Sequence, residues 1–131
     1  MSAPSYYLIP NAPKPVAPYN HVVEVDRWLF VTGQLATDPD DDSLPLPEGI
    51  EAQTRMVMDN LKRALAGVGV GFEHVVCARI FLTDFERDYA VFQPVLRRIF
   101  RVRPATCTDY RRVTQLARGG IVEVDLIARR S

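Results

Sequence analysis

Few side chains in this sequence could carry chemistry, and they lie far apart along the chain. Glu123 stands in the strand-like run Val122-Glu123-Val124, and a partly buried carboxyl group can have a raised pKa and act as an acid or a base. The alternative is a strand carboxylate that pairs with an arginine. His21 and His74 are the only histidines, and their separation favours surface or strand positions over a base or a metal ligand.

The two cysteines, Cys77 and Cys107, lie in apolar or strand-like surroundings. A pair this sparse does not indicate a disulfide scaffold, and two free thiols fit a reducing cytosol. We expect both to be small buried strand residues, and whether Cys107 is reactive stays open. No cysteine and histidine spacing resembles a zinc site, and the three successive aspartates at 40–42 lack the spacing and glycine of a calcium loop.

Length and composition indicate one soluble domain. The chain has 131 residues, of which 47% are hydrophobic and 24% charged, which is enough for a single core. It has no apolar run of about 18 residues and no signal pattern, so we expect a cytoplasmic protein. Residues 1–18 are rich in proline and predict an extended segment, which leaves 19–131 as a single domain.

The formal net charge is zero, but the charge is distributed unevenly. From residue 97 onward there are nine arginines and three acidic residues, so the earlier part of the chain is acidic. This asymmetry fits a basic patch for RNA or an anionic ligand, or opposite charges that pair within or between subunits. The second interpretation is favoured, because aromatic residues are not interleaved with the arginines as stacking on nucleic acid requires.

The periodicity of apolar residues predicts seven elements in the order β-β-α-β-α-β-β. Thr83-Asp84-Phe85-Glu86 has the form of a capping box for the second helix, in which Pro94 requires either a start within about four residues or a kink. The pattern predicts an α+β fold in which two helices cover one face of a mixed, mostly antiparallel sheet. The predicted strands are 21–25, 28–32, 75–82, 105–113 and 121–128. The first helix is predicted to begin at Ile50, and the second to follow a cap at either Thr83 or Asp88.

The strands are apolar on both sides, since Val22-Val23 and Leu29-Phe30-Val31 do not alternate cleanly. Helices on one face of a sheet leave the other face uncovered. We therefore expect that second face to meet another subunit.

Four segments, in their order and spacing, resemble the RidA/YjgF family of reactive-intermediate deaminases. They are Ala17-Pro18-Tyr19, Phe30-Val31-Thr32-Gly33-Gln34, Arg103-Pro104-Ala105-Thr106 and the strand around Glu123. The resemblance covers about residues 15–128. It implies a chorismate-mutase-like fold that assembles as a homotrimer around a barrel-like core, with three clefts between subunits.

The resemblance also implies an activity, the hydrolysis of enamines and imines to a keto acid and ammonia without a metal or cofactor. It implies that Glu123 is the catalytic residue that orients the attacking water. The implied substrate-binding residues are Tyr19, Gly33, Gln34, Gln93, Thr106 and Cys107. For Tyr19 an amphipathic surface aromatic is an equal alternative, and Gln93 stands where the family often has asparagine.

Thr106 departs from the family, which usually has an arginine there to hold the substrate carboxylate. A guanidinium–carboxylate pair contributes roughly 1.5–3 kcal/mol in such a site. Ordinary amino-acid-derived imines are therefore expected to bind about tenfold to hundreds-fold more weakly, unless another cation substitutes. Strand alternation places Arg111 on the face opposite Thr106, and Arg103 is the other candidate.

Two functions remain open from the sequence. One is a deaminase or related hydrolase with an altered substrate, and the other is a trimer that binds a small ligand without turnover. A ribonuclease is the weakest candidate, because the chain lacks net positive charge and a histidine pair for acid/base cleavage.

Overall fold

The computed structural model describes residues 3–99 and 107–131. These residues form two α-helices and one six-stranded sheet of order β1-β2-β3-β6-β4-β5. All neighbouring strands are antiparallel except β4 and β5, which are parallel, so the α+β class and the mixed, mostly antiparallel sheet are confirmed. The elements are β1 (Ser5–Tyr7), β2 (Val22–Val25), β3 (Trp28–Gln34), α1 (Ile50–Gly67), β4 (Val75–Leu82), α2 (Phe85–Ile99), β5 (Cys107–Arg112) and β6 (Val122–Arg129).

The sheet has one strand more than the periodicity predicted, because β1 lies within the proline-rich lead-in. Tyr6 and Tyr7 pair with Val23 and Val22 at the edge of the sheet. Beyond this strand, Ile9 is 6% exposed and packs in the core. The lead-in segment is thus attached to the domain by both backbone pairing and apolar burial.

The core forms between the helices and one face of the sheet. In β6 the alternate residues Val122, Val124 and Leu126 are fully or almost fully buried, and the side chains between them are only partly buried. Helix α1 packs Leu61 and Leu65 against this face. Burial of each such side chain contributes roughly 1.5–3 kcal/mol, which fixes the register of the strand and therefore which residues point away from the helices.

The start of α2 differs in detail from the prediction. The Asp84 carboxylate, rather than the Thr83 hydroxyl, accepts a hydrogen bond from a first-turn backbone N–H, that of Arg87, at 3.1 Å. The helix begins nine residues before Pro94 and continues past it, so a start close to that proline was wrong. No helix among residues 3–99 and 107–131 is long and apolar enough to cross a membrane.

The other face of the sheet, here called the open face, has no helix against it in the described chain. It presents apolar side chains to solvent, including Tyr6, Trp28 and Phe30, which are 63%, 37% and 44% exposed. Glu123 and Asp125 of β6 point to the same side, because they alternate with the buried residues.

Candidate functional site

A small cavity of about 70 Å³ lies where the lead-in segment crosses the ends of β3 and β6. Four residues predicted for the site line it together, namely Glu123, Tyr19, Gly33 and Gln34. The remaining lining residues are Pro13, Lys14, Pro15, Val16, Leu35, Thr37 and Ala117. Residues that are more than 100 positions apart in sequence are thus brought to one place by the pairing of β3 with β6.

The Glu123 side chain lies directly against Gly33. A Cβ atom at Gly33 would lie 2.7 Å from Glu123 Oε2 and 3.0 Å from its Cδ, closer than real Cβ contacts. The register of β3 against β6 shifts between Val31 and Gln34, and this irregularity includes Gly33. The absence of a side chain at Gly33 thus leaves room for the carboxyl group to approach the backbone.

Burial raises the pKa of Glu123, and the charge of Asp125 raises it further. Within the described residues Glu123 has no ion pair, whereas Asp125 binds Arg79 through contacts of 2.6 and 2.9 Å. The interpretation of Glu123 as a strand carboxylate paired with an arginine therefore finds no support in the described chain. A carboxyl group with a raised pKa and no ion pair among the described residues is suited to take up and release a proton.

Tyr19 is both a surface aromatic and a residue of the cavity, the two alternatives that the sequence left open. It is 37% exposed and also lines the cavity. Its hydroxyl oxygen accepts a weak hydrogen bond of 3.4 Å from the Val16 N–H, so it closes a short loop over the cavity.

His21 is a positioning residue that the sequence did not reveal. It is 2% exposed, its Nδ1 accepts a 2.7 Å hydrogen bond from the Ile9 N–H, and its Nε2 lies 2.6 Å from the Pro13 carbonyl oxygen. The first contact requires an unprotonated Nδ1, so Nε2 carries the hydrogen and donates it to Pro13. The neutral imidazole thereby holds the lead-in segment against the cavity.

Asn60 of α1 fixes the opposite wall and was also missed. Its buried amide nitrogen donates to the carbonyl oxygens of Leu35 and Thr37 at 3.0 and 2.8 Å. Both of those residues line the cavity. An asparagine on the buried face of a helix was the available signal, since a buried amide needs polar partners.

Gln93 and Cys107 do not reach this cavity within one chain. Gln93 lies on α2, where its amide donates to the Tyr89 hydroxyl and its carbonyl accepts from Arg97, each at 3.1 Å. Cys107 begins β5, beside Cys77. Thr106 and Arg103 lie outside the described residues.

The prediction that Cys77 and Cys107 are buried was wrong. Cys77 is only partly buried and Cys107 is exposed, because both point to the open face rather than to the helices. Arg111 also lies on the open face, in register with Phe81, which in turn pairs with Glu123. Arg111 is thus on the same side of the sheet as Glu123, although its guanidinium binds Asp109 at 2.8 Å.

The family model for endoribonuclease L-PSP matches residues 9–130. The chain belongs to the RidA/YjgF family. Among curated members, "Protein DfrA" of Myxococcus xanthus is 40% identical over 121 residues, which cover 90% of this chain and 89% of the relative. The 2-iminobutanoate/2-iminopropanoate deaminase of Bos taurus is 32% identical over 118 residues, with 90% and 84% covered.

A solved RidA structure supports the same conclusion. RidA from an Antarctic Psychrobacter is 29% identical and superposes with a TM-score of 0.88 over 96% of this chain and 99% of the other. The predicted family and fold are confirmed. RidA/YjgF relatives include a 2-iminobutanoate/2-iminopropanoate deaminase.

Proposed function

We propose that this RidA/YjgF protein hydrolyses a small imine or enamine, with Glu123 as the catalytic residue. The observation that supports this most directly is a partly buried carboxyl group that has no counter-ion among residues 3–99 and 107–131 and lies against Gly33 in a cavity. Its carboxylate would accept a proton from water as the water oxygen attacks the C=N carbon. The protonated carboxyl would return that proton to nitrogen and so give a carbinolamine. In a second transfer the same carboxylate would take the hydroxyl proton of the carbinolamine and deliver it to nitrogen, so that ammonia leaves as the carbonyl forms.

The proposed active unit contains more than one copy of the chain. Gln93 and Cys107 lie away from the Glu123 cavity, and a cavity of about 70 Å³ is smaller than usual ligand sites. The apolar open face supplies a surface for a neighbouring copy. A cleft between subunits, as in the homotrimer that the resemblance implied, would enlarge the site and bring residues of β5 to it.

Lys14 is the proposed substitute for the arginine that Thr106 replaces. Among the described residues it is the only lysine or arginine that lines the cavity, and its ammonium group has no ion pair with any of them. Pro13 and Pro15 flank it, and His21 holds Pro13 through the 2.6 Å contact, so its backbone is fixed. An ammonium group on the cavity wall would attract an anionic substrate, although without the two-pronged geometry of a guanidinium.

The test is ammonia release from 2-iminobutyrate or 2-aminoacrylate generated in situ. Wild type is compared with Glu123→Gln, Lys14→Gln, Lys14→Arg and Thr106→Arg. Turnover that depends on Glu123, falls about tenfold in Lys14→Gln and recovers in Lys14→Arg supports both parts of the proposal. Activity that is unchanged in Glu123→Gln would contradict the catalytic role, and equal activity in Lys14→Gln would contradict the anchor alone.

A trimer that binds without turnover is the second candidate, favoured by the threonine at position 106. It predicts no ammonia release by wild type on any imine tested, and saturable binding of a small anion that Lys14→Gln weakens. Ribonuclease activity has the least support. The cavity lining contains no histidine, both nitrogens of His21 are engaged, and His74 accepts from the Gly71 N–H.

A further inference from the structure

Cys77 and Cys107 face each other across two neighbouring strands. They are direct partners in the parallel pairing of β4 with β5, so both point to the open face. Neither forms a disulfide, and Cys107 is exposed. The sequence separates them by 30 positions, and only the parallel crossover through α2 makes them neighbours.

Their spacing suits a bridging atom better than a disulfide. Neighbouring strands lie about 4.8 Å apart, and side chains in register keep roughly that spacing at Cβ. Disulfides need Cβ atoms about 3.8 Å apart. When one atom is bonded to both sulfurs at about 2.3 Å, the two sulfurs lie roughly 3.8 Å apart. The strands need not move to reach that separation. The thiols already interact, since the pKa of Cys77 is raised by burial and by Cys107.

The surroundings limit which ligand this pair can hold. Among residues 3–99 and 107–131 there is no group of three or more histidine, cysteine or acidic side chains that could hold a metal ion. The two nearby carboxylates, Asp109 and Asp125, are engaged by Arg111 and Arg79. A four-coordinate zinc site is therefore incomplete in one chain, and a ligand satisfied by two sulfurs fits best.

We propose that Cys77 and Cys107 form a two-thiol binding site for soft, thiophilic ligands, with trivalent arsenicals as the best-matched class. In the reaction the As=O group of an arsenical meets the two thiols. Two As–S bonds form, the two S–H bonds break, and the oxygen leaves as water with both protons. No oxidant is needed. The site would connect β4 to β5 on the open face, the face that the proposed function places toward a neighbouring copy.

The experiment treats the native protein with one equivalent of phenylarsine oxide, washes it with excess monothiol, and measures intact mass. Wild type is expected to retain one phenylarsenic group per chain and to release it to a dithiol. Cys77→Ser and Cys107→Ser should each retain it roughly a hundredfold more weakly, because a single thiol loses the advantage of the second attachment.

Two outcomes would overturn the proposal. One is a wild-type protein that loses the label in the monothiol wash, and the other is a single-cysteine variant that retains it as wild type does. Circular dichroism establishes that each variant is folded, and alkylation of the remaining cysteine with iodoacetamide establishes that it is reactive. Should a serine variant not fold, Cys77→Ala and Cys107→Ala replace it with the same expected results.

Discussion

The two carboxylates at the start of β6 differ in ways that their positions on the strand do not explain. Glu123 and Asp125 are two residues apart and project from the same face of the sheet. Asp125 meets Arg79 of β4 in a two-contact ion pair that is open to solvent on the arginine side. Glu123 turns toward β3, where Gly33 leaves space for its carboxyl group.

The two carboxylates on this face of the sheet therefore have different roles: Asp125 is part of a structural ion pair, and Glu123 is a candidate acid and base. The Asp125 carboxylate is held by Arg79 in an ion pair and so has a structural partner. The unpaired Glu123 is partly desolvated, so its proton is held more tightly. The same strand thus supplies an element of surface electrostatics and, two residues away, a candidate acid and base.

Removing each carboxylate in turn gives the largest expected contrast. Glu123→Gln should lower the rate of imine hydrolysis by roughly 10²–10⁴-fold, because the amide cannot accept a proton from water. Asp125→Asn should leave the rate within about threefold and cost only about 0.2–1 kcal/mol of unfolding free energy, as for a largely exposed pair. Rates come from ammonia release and stabilities from urea unfolding. Equal loss of activity in both variants would show that Glu123 and Asp125 do not differ in their importance for hydrolysis.

The next contrast is between His21, which holds the lead-in segment against the cavity, and His74. His21→Ala removes two buried hydrogen bonds and leaves the Ile9 N–H and the Pro13 carbonyl without their partner. A loss of about 2–4 kcal/mol of unfolding free energy follows, together with faster hydrogen exchange in β1. His74→Ala is the matched control, since that ring has a single backbone partner at the surface side of a turn. A similar loss in both variants would show that the lead-in is not held by His21.

Gly33→Ala tests the close approach itself. The new Cβ would lie 2.7 Å from Glu123 Oε2, so the carboxyl group must move, at a cost of about 1–3 kcal/mol. The turnover rate should fall, because the base leaves its position. In the double variant with Glu123→Ala the added methyl group meets no carboxyl, and the stability loss should largely disappear. A loss that persists in the double variant would place the strain elsewhere.

The sequence predicted the parts of this fold that depend on local patterns. The run from Val75 to Leu82 gave β4 at its observed bounds, since apolar and β-branched residues continue without a break. The three-residue strand β1 was missed, because its pairing depends on a segment fixed by His21 rather than on its own composition. The cysteines were expected in the core, because local sequence shows that a residue lies on a strand but not which face the helices cover.

The candidate site was predictable only in part, and for a related reason. Glu123, Gly33, Gln34 and Tyr19 were named through the family resemblance, and the structure places them around one cavity. The contact of Glu123 with Gly33 depends on a register shift between strands that are far apart in sequence. No local pattern encodes that shift. Alternation along β5 likewise could not show that Arg111 and Glu123 lie on the same face, because that depends on the pairing of both strands with β4.

The smallest expected effect concerns pH, and it contrasts Glu123 with Glu24. Hydrogen bonds from Arg130 lower the pKa of Glu24, whereas burial raises that of Glu123. The folded state therefore holds the Glu123 proton more tightly than the unfolded chain does. This contribution to stability is complete below the unfolded value near 4.5 and disappears as the pH rises through the folded pKa. For Glu24 the sign reverses, and its contribution disappears as the pH falls.

Thermal unfolding of the two glutamine variants between pH 4 and pH 8 separates these signs. Relative to wild type, Glu123→Gln should gain stability as the pH rises, because the cost of ionising a buried carboxyl group is removed. Glu24→Gln should lose stability over the same range, because Arg130 loses a charged partner. The shifts should be smaller than those of the other variants, since both groups retain contact with solvent. Parallel curves for the two variants would mean that Glu123 is as well compensated as Glu24, and the case for an uncompensated acid and base in the cavity would fail.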